Sequence, residues 1–507
     1  MTSIANRLIR GSGLRVLQTL VSIAIGFWML PFLYNNLGAE QYGVWVLLGS
    51  TVAAFYMLDL GFSQAITRYV AEYIYTERFQ EANKIINTAL AIYSLLGLII
   101  LLAAVLVARF FFNESELNSI SDNAPQIAFF ILALSLALEF PAKAFPGIIN
   151  AYLRFDRVAQ VRTAFSIINA IAIYLFVSEG YGIVAIAIIG LTTNSLSTLI
   201  YALFAKSLFK QLLFSRELIN KEDFVEIYHF SKWVFIIDTA YLLKDKIGIW
   251  AIAAFGMIAS LPIFYAAQRL AEYAGTFINQ ALAMSTPLLT KYHSEGDIEK
   301  LRETHSLFFK MYVIASVTTM GGFILAGEAF LKVWMGPDFD AKLSAEILFV
   351  LATSSFIMIS LQPFVSLLMT LKKHKYAAII SMLELSASTA SILVFKDDFG
   401  LVGIATACLL TMAIVRLTLL PIATAQAADK SILTPLVWSG LYVAITLLLL
   451  YSTKLFISVS NTWLAILTNA SLALPLALVP AFMLFNANER KVISRAISQL
   501  SKRLSQR

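Results

Sequence analysis

The chain has 507 residues, 59% of them apolar and 14% charged, with a mean hydropathy of +0.77; soluble domains carry about 45–50% apolar and about 25% charged residues, so a water-soluble fold is excluded. The net charge of +7 gathers at the ends of apolar runs, as topology signals do, which argues against nucleic acid as a partner. A single cysteine, Cys408, and four scattered histidines leave nothing from which to build an intrachain disulfide or a metal site.

Taken in order, the apolar blocks and their polar breaks predict fourteen transmembrane helices near 14–34, 42–66, 85–111, 124–150, 158–178, 181–204, 229–255, 262–288, 306–330, 343–370, 376–395, 400–427, 433–456 and 462–486. Each is about twenty residues or longer, enough at 1.5 Å per residue to cross a hydrocarbon core of about 30 Å. Arg7, Arg10 and Arg15 precede the first block and no small-residue cleavage site follows Pro31, so it reads as an uncleaved span.

Lysine and arginine then alternate from loop to loop. Arg68, Arg78 and Lys84, Arg154, Arg157 and Arg162, Lys206, Lys210, Arg216 and Lys221, Lys291, Lys300 and Arg302, and Lys372, Lys373 and Lys375 all fall between even and odd spans, whereas the stretch 113–122 is acidic and 396–400 holds one lysine. The positive-inside rule therefore places both termini in the cytoplasm. The longest inner connection, 205–228, suggests parallel halves, which divides the chain into lobes at 1–210 and 211–428, two trailing spans at 429–487 and a tail at 488–507. Leu37, Gly38 and Tyr42 after span one faintly match Phe255, Gly256 and Tyr265 after span seven. The tail places Val492, Ile493, Ala496, Ile497, Leu500 and Leu504 on one helical face with Arg490, Lys491, Arg495, Lys502 and Arg503 mostly elsewhere, the pattern of a helix lying on the cytoplasmic leaflet or of a basic topology signal.

Ionisable residues inside spans are the most informative feature, because each costs at least about 2.5–3.5 kcal/mol at a helix centre unless it meets a cavity or a partner. Span seven carries Asp238, Lys244, Asp245 and Lys246; three consecutive charges at about 100° each spread polarity over about 200° of helix surface. Such a helix lines a water-filled cleft or joins a buried ion-pair network. Glu139 and Lys143 in span four are spaced to pair at i and i+4, and Pro141 and Pro146 mark a hinge in the same segment. Asp59 is expected to pair with Arg68. Arg269 and Glu272 in span eight, Glu384 in span eleven and Arg416 in span twelve complete the set. The cations suit an anionic headgroup; the carboxylates Asp238, Asp245, Glu272 and Glu384 suit a coupling proton or sodium ion. Nothing resembles a catalytic constellation or a phosphate loop, so neither enzymatic chemistry nor ATP-driven pumping is expected.

The chain resembles the polysaccharide-transporter branch of the superfamily that also holds multidrug exporters and the lipid II flippase. The resemblance rests on Leu37, Gly38, Tyr42 and Gly43 after span one; Leu58, Asp59, Gly61, Ala65 and Arg68 at the end of span two; Tyr152, Arg154 and Phe155 after span four; Tyr265 and Arg269 in span eight with Pro287 at its end; and Val333, Trp334, Gly336 and Phe339 after span nine. It implies an all-α integral membrane fold of about fourteen helices: two pseudo-symmetric six-helix lobes around a central cavity, plus two C-terminal helices. The implied activity is flipping an undecaprenyl-diphosphate-linked oligosaccharide, such as an O-antigen repeat, across a bacterial inner membrane by alternating access. Cavity cations would then hold the diphosphate or acidic sugars, and Lys244, Lys246, Arg269 and Arg416, with Arg15 near the cytoplasmic mouth, are the positions that match. Membrane lipids and polysaccharide polymerase machinery are the implied partners, with no cofactor beyond an ion such as H+ or Na+. Lipid II flipping and multidrug export remain rival readings within the superfamily; a glycan polymerase or ligase is the rival outside it, disfavoured because no outer loop exceeds about a dozen residues.

Overall fold

The computed structural model describes residues 4–59, 62–114, 123–428, 430–457, 461–485 and 489–490. The amphipathic tail from 491 onward and the acidic outer stretch 115–122 lie outside the described residues. Every regular element among those described is helical, as a chain in hydrocarbon requires when each backbone N–H must be satisfied within its own segment.

All fourteen expected spans have a helical counterpart. The first two merge into α1 (Ile4–Ala54), kinked at Gly38, whose φ of 79° suits a residue without Cβ; a 3-10 turn (Phe55–Asp59) and α2 (Phe62–Tyr75) continue the second. Next come α3 (Phe79–Glu114), α4 (Ala124–Ala142), α5 (Ala144–Ala151), α6 (Phe155–Ser178), α7 (Ile183–Leu208) and α8 (Lys221–Ala254). They are followed by α9 (Leu261–Ala281), α10 (Ser285–Ser294), α11 (Ile298–Met335), α12 (Ala341–Ser360) and α13 (Gln362–Thr370). The chain ends with α14 (His374–Ala427), α15 (Thr434–Phe456) and α16 (Trp463–Ala481). Like α1, α14 holds two spans joined at a kink, here Gly400. Among the described residues eleven helices are long and apolar enough to cross a membrane on length and composition; α8 and α9, which carry several charges, fall outside that set.

By packing, the chain forms two units, Met1–Pro262 and Ile263–Arg507. The sequence reading begins the second lobe at residue 211, whereas α8 packs against α1, α2 and α3 and so groups with the first unit. In unit 1, α3 and α4 approach closely enough that a Cβ at Gly97 would stand 2.6 Å from the Ala137 carbonyl oxygen, the small-residue contact expected where lipid tails supply no hydrophobic drive. Polar pairs join other helices of the unit: Asn194 of α7 donates to Ser135 of α4 at 3.0 Å, and Asn169 of α6 to Thr193 of α7 at 2.9 Å.

Unit 2 is built on α11. A Cβ on its Gly321 would lie 2.9 Å from both Ala473 of α16 and Leu450 of α15, so the trailing pair sits directly on this helix. Tyr442 of α15 donates to the Ala477 carbonyl of α16 at 3.0 Å, closing the hairpin. Asp297 caps α11, accepting from the Lys300 backbone N–H at 3.0 Å and from its ammonium at 2.6 Å; those bonds hold the Asp297 carboxyl below the usual carboxylate range. Just past α16, Glu489 pairs with the Lys310 ammonium of α11 at 2.7 Å.

Candidate functional site

Unit 1 holds a charged cluster where α4 gives way to α5. Pro141 and Pro146 each lack an N–H, so two intrahelical bonds are absent within one and a half turns, and the helix is interrupted at Lys143. The interruption decides the pairing. A continuous helix would bring Lys143 onto Glu139; instead the Lys143 ammonium stands 3.4 Å from Asp59, and Glu139 accepts from the Tyr56 hydroxyl at 2.7 Å. The expected Glu139–Lys143 pair is thus corrected, and Asp59 is held by Lys143 and by the hydroxyl of fully buried Tyr93.

The ammonium also lies over the rings of Phe140, at 4.2 Å, and Tyr56, at 4.8 Å, aromatic faces that favour a cation taken from water. Asp238 of α8 is near enough to Asp59 to feel its charge, and Arg162 of α6 is near enough to Tyr56. Asp59, Glu139, Lys143, Tyr56 and Tyr93 therefore form one polar cluster inside unit 1. Sequence reading missed Tyr56 and Tyr93 altogether; a tyrosine at depth with an acid in reach was the available signal.

The Lys143–Asp59 pair is 15% and 25% exposed, between the buried and surface regimes. Lys143→Met should therefore cost about 1–3 kcal/mol, read as a lower melting temperature of the purified protein in detergent. Exchanging the two as Asp59→Lys with Lys143→Asp should recover most of that loss, and no recovery would mean that the pair does not hold these helices.

Farther along α8, Lys246 meets its neighbour Asp245 at 2.5 Å, with the lysine 12% and the aspartate 38% exposed. Lys244 is half-buried, its ammonium 6.0 Å from the Tyr241 ring centre. Asp238 is exposed. Arg15 is exposed too, with its guanidinium 4.2 Å above the Phe155 ring.

In unit 2, Arg269 and Glu272 bond at 2.6 Å within α9, both about one third exposed (32% and 30%), and the guanidinium lies 4.7 Å from the Tyr265 ring centre. Arg416 differs: it and Glu384 stand 3.9 Å apart, each 2% exposed. One turn away Ser388 and Thr411 bond at 2.7 Å. The pair joins the two halves of α14, which turn at Gly400, and a guanidinium so enclosed presents nothing to an incoming headgroup in this conformation. The structure thus leaves Arg15 exposed and Lys244, Lys246 and Arg269 part-buried, and seals Arg416.

A family model described as polysaccharide biosynthesis protein matches residues 8–293. Among curated relatives, the uncharacterized membrane protein EpsK of Bacillus subtilis (strain 168) is 22% identical over 379 residues, 72% of either chain. A Shigella flexneri protein provisionally named an O-antigen transporter is 24% identical over 387 residues, 74% of this chain and 88% of the other. Among solved structures, the lipid II flippase MurJ in an inward closed conformation matches with a TM-score of 0.70 at 16% identity, over 96% of this chain and 100% of that one. An inward-facing multidrug resistance MATE family transporter of the MOP superfamily matches at 0.64 and 16% identity, over 82% and 95%. At these identities the structural likeness establishes the fold.

Proposed function

The chain belongs to the polysaccharide biosynthesis protein family, and from that premise we propose that it flips an undecaprenyl-diphosphate-linked oligosaccharide from the cytoplasmic to the periplasmic leaflet of a bacterial inner membrane by alternating access, with both termini cytoplasmic. The observation that carries this reading is the state of the α8 lysines: Lys244 and Lys246 sit in a largely apolar chain and are both part-buried, Lys246 at 12% exposure. A cation at such a position is stable only with a hydrated neighbour or an anionic guest, and two ammonium groups suit a diphosphate. Arg269 offers a further cation in unit 2, and Arg15 one at the cytoplasmic end. The Shigella relative's name supports an O-antigen repeat as cargo.

Coupling belongs, in this reading, to the carboxylates of unit 1. Asp238 lies on α8, which packs against α2 and the turn that carries Asp59, so a proton or sodium ion taken up by these carboxylates would change the charge balance there, and the break at Lys143 supplies the hinge. The chain acts as a carrier, with membrane lipids and the polymerase machinery as its surroundings.

Deleting the gene in its host tests the proposal. The expected result is trapped lipid-linked repeat units on the cytoplasmic face and loss of surface polysaccharide, both reversed by the intact gene. Normal glycan display with raised drug sensitivity would instead identify an exporter.

A further inference from the structure

Between α7 and α8 the chain runs without α-helix, broken only by a 3-10 turn at Arg216–Leu218, and its course is set by side chains of α3. Asn83 donates through Nδ2 to the Gln211 carbonyl at 2.9 Å and accepts at Oδ1 from the Leu213 N–H at 2.9 Å. One helical turn on, Asn87 repeats the arrangement, donating to the Leu213 carbonyl at 2.8 Å and accepting from the Ser215 N–H at 3.0 Å. Each carboxamide makes the pair of bonds that a peptide unit of a neighbouring strand would make.

The match has a metric reason. Four residues of helix advance about 6 Å, and two residues of extended chain advance about 6.6 Å, so amides at i and i+4 meet alternate residues of a strap laid along them. The rungs are dry: Asn83, Asn87 and Thr88 are 4%, 6% and 2% exposed. Thr88 then accepts from the Asn220 N–H at 3.0 Å, and Asn220 is the cap of α8, its side chain accepting from the Glu222 N–H at 3.1 Å. From the other side the Lys206 ammonium reaches the Leu212 carbonyl at 2.5 Å.

We propose that Asn83, Asn87 and Thr88 are positioning residues: by clamping residues 211–220 onto α3 they fix the axial register of α8, and so the depth at which Asp238, Lys244, Asp245 and Lys246 are held. The consequence for transport rests on the function proposed above; the register itself does not. If the asparagines only satisfied backbone groups of a loop, removing them would lower stability and leave α8 where it is. If they position it, α8 slides or turns and its charged tract changes its access to water.

The test uses the full-length protein carrying Cys408→Ser with Lys246→Cys, and in parallel Asp238→Cys, as reporters in membrane vesicles alkylated by a membrane-impermeant maleimide. Asn83→Leu combined with Asn87→Leu, a near-isosteric loss of both rungs, should change the alkylation rate at one or both reporters by about fivefold or more, while the protein stays monodisperse. Thr88→Val, which removes a single bond at the cap, should shift the rate in the same direction and serves if the double variant does not fold. Unchanged rates in folded variants overturn the proposal. Alkylation needs no substrate, so reporter proteins whose rates respond to the asparagine variants as expected, beside a wild-type protein that moves no lipid-linked glycan, would overturn the function and leave the clamp standing.

Discussion

Replacing Glu384 alone with leucine should destabilise the protein by about 3–5 kcal/mol, because it removes one charge of a buried pair and leaves the Arg416 guanidinium, at 2% exposure, without that carboxylate. The single variant is expected to be recovered mostly as aggregate after detergent extraction. Combining Glu384→Leu with Arg416→Met removes both charges and should return a monodisperse protein, since well-packed apolar residues of similar volume often replace a buried pair at no loss. That double variant also separates two roles for Arg416. A fastener of the two halves of α14 is dispensable once its partner is gone, so surface polysaccharide should still be displayed; a headgroup ligand is not, and a folded but inactive double variant would restore Arg416 to the binding set.

That pairing was within reach of the sequence. Spans eleven and twelve are joined by a turn at Gly400, and antiparallel neighbours place residues equidistant from their turn at equal depth. Glu384 and Arg416 each lie sixteen positions from it, so an acid and a base at one depth on adjoining helices already pointed to a pair. The span pattern was legible for a similar reason, since hydrocarbon thickness fixes helix length and charge marks the ends. The partners of Lys143 were not legible. The i, i+4 rule assumes an unbroken helix, and Pro141 with Pro146 breaks it at the residue in question. Nor was the unit boundary: a long connection suggested a division at 211, but Asn83, Asn87 and Thr88 tie that connection to α3, so α8 stays with unit 1. Asparagines at i and i+4 near the start of an apolar helix were the visible sign, and which strap they hold is a tertiary fact that no local pattern carries.

Neutralising Lys244 and Lys246 together as glutamine should abolish transport with little effect on the fold. A charge-assisted hydrogen bond contributes about 1.5–3 kcal/mol, so losing two to a diphosphate removes about 3–6 kcal/mol, or about two to four powers of ten in affinity. Stability responds differently here than at Arg416. Lys246 leaves behind Asp245, which is 38% exposed where Arg416 is 2% exposed, so the loss is expected to be the smaller of the two, about 1 kcal/mol. The double variant should therefore extract and melt like the parent, accumulate lipid-linked repeat units in the deletion host, and fail to restore surface polysaccharide. Arginine at both positions should keep partial function, because the positive charge remains while the donor geometry changes. Full rescue by the glutamine variant would remove α8 as the anion-binding element and pass that role to Arg269, whose own partner Glu272 lies on the same helix and would have to release it for each substrate.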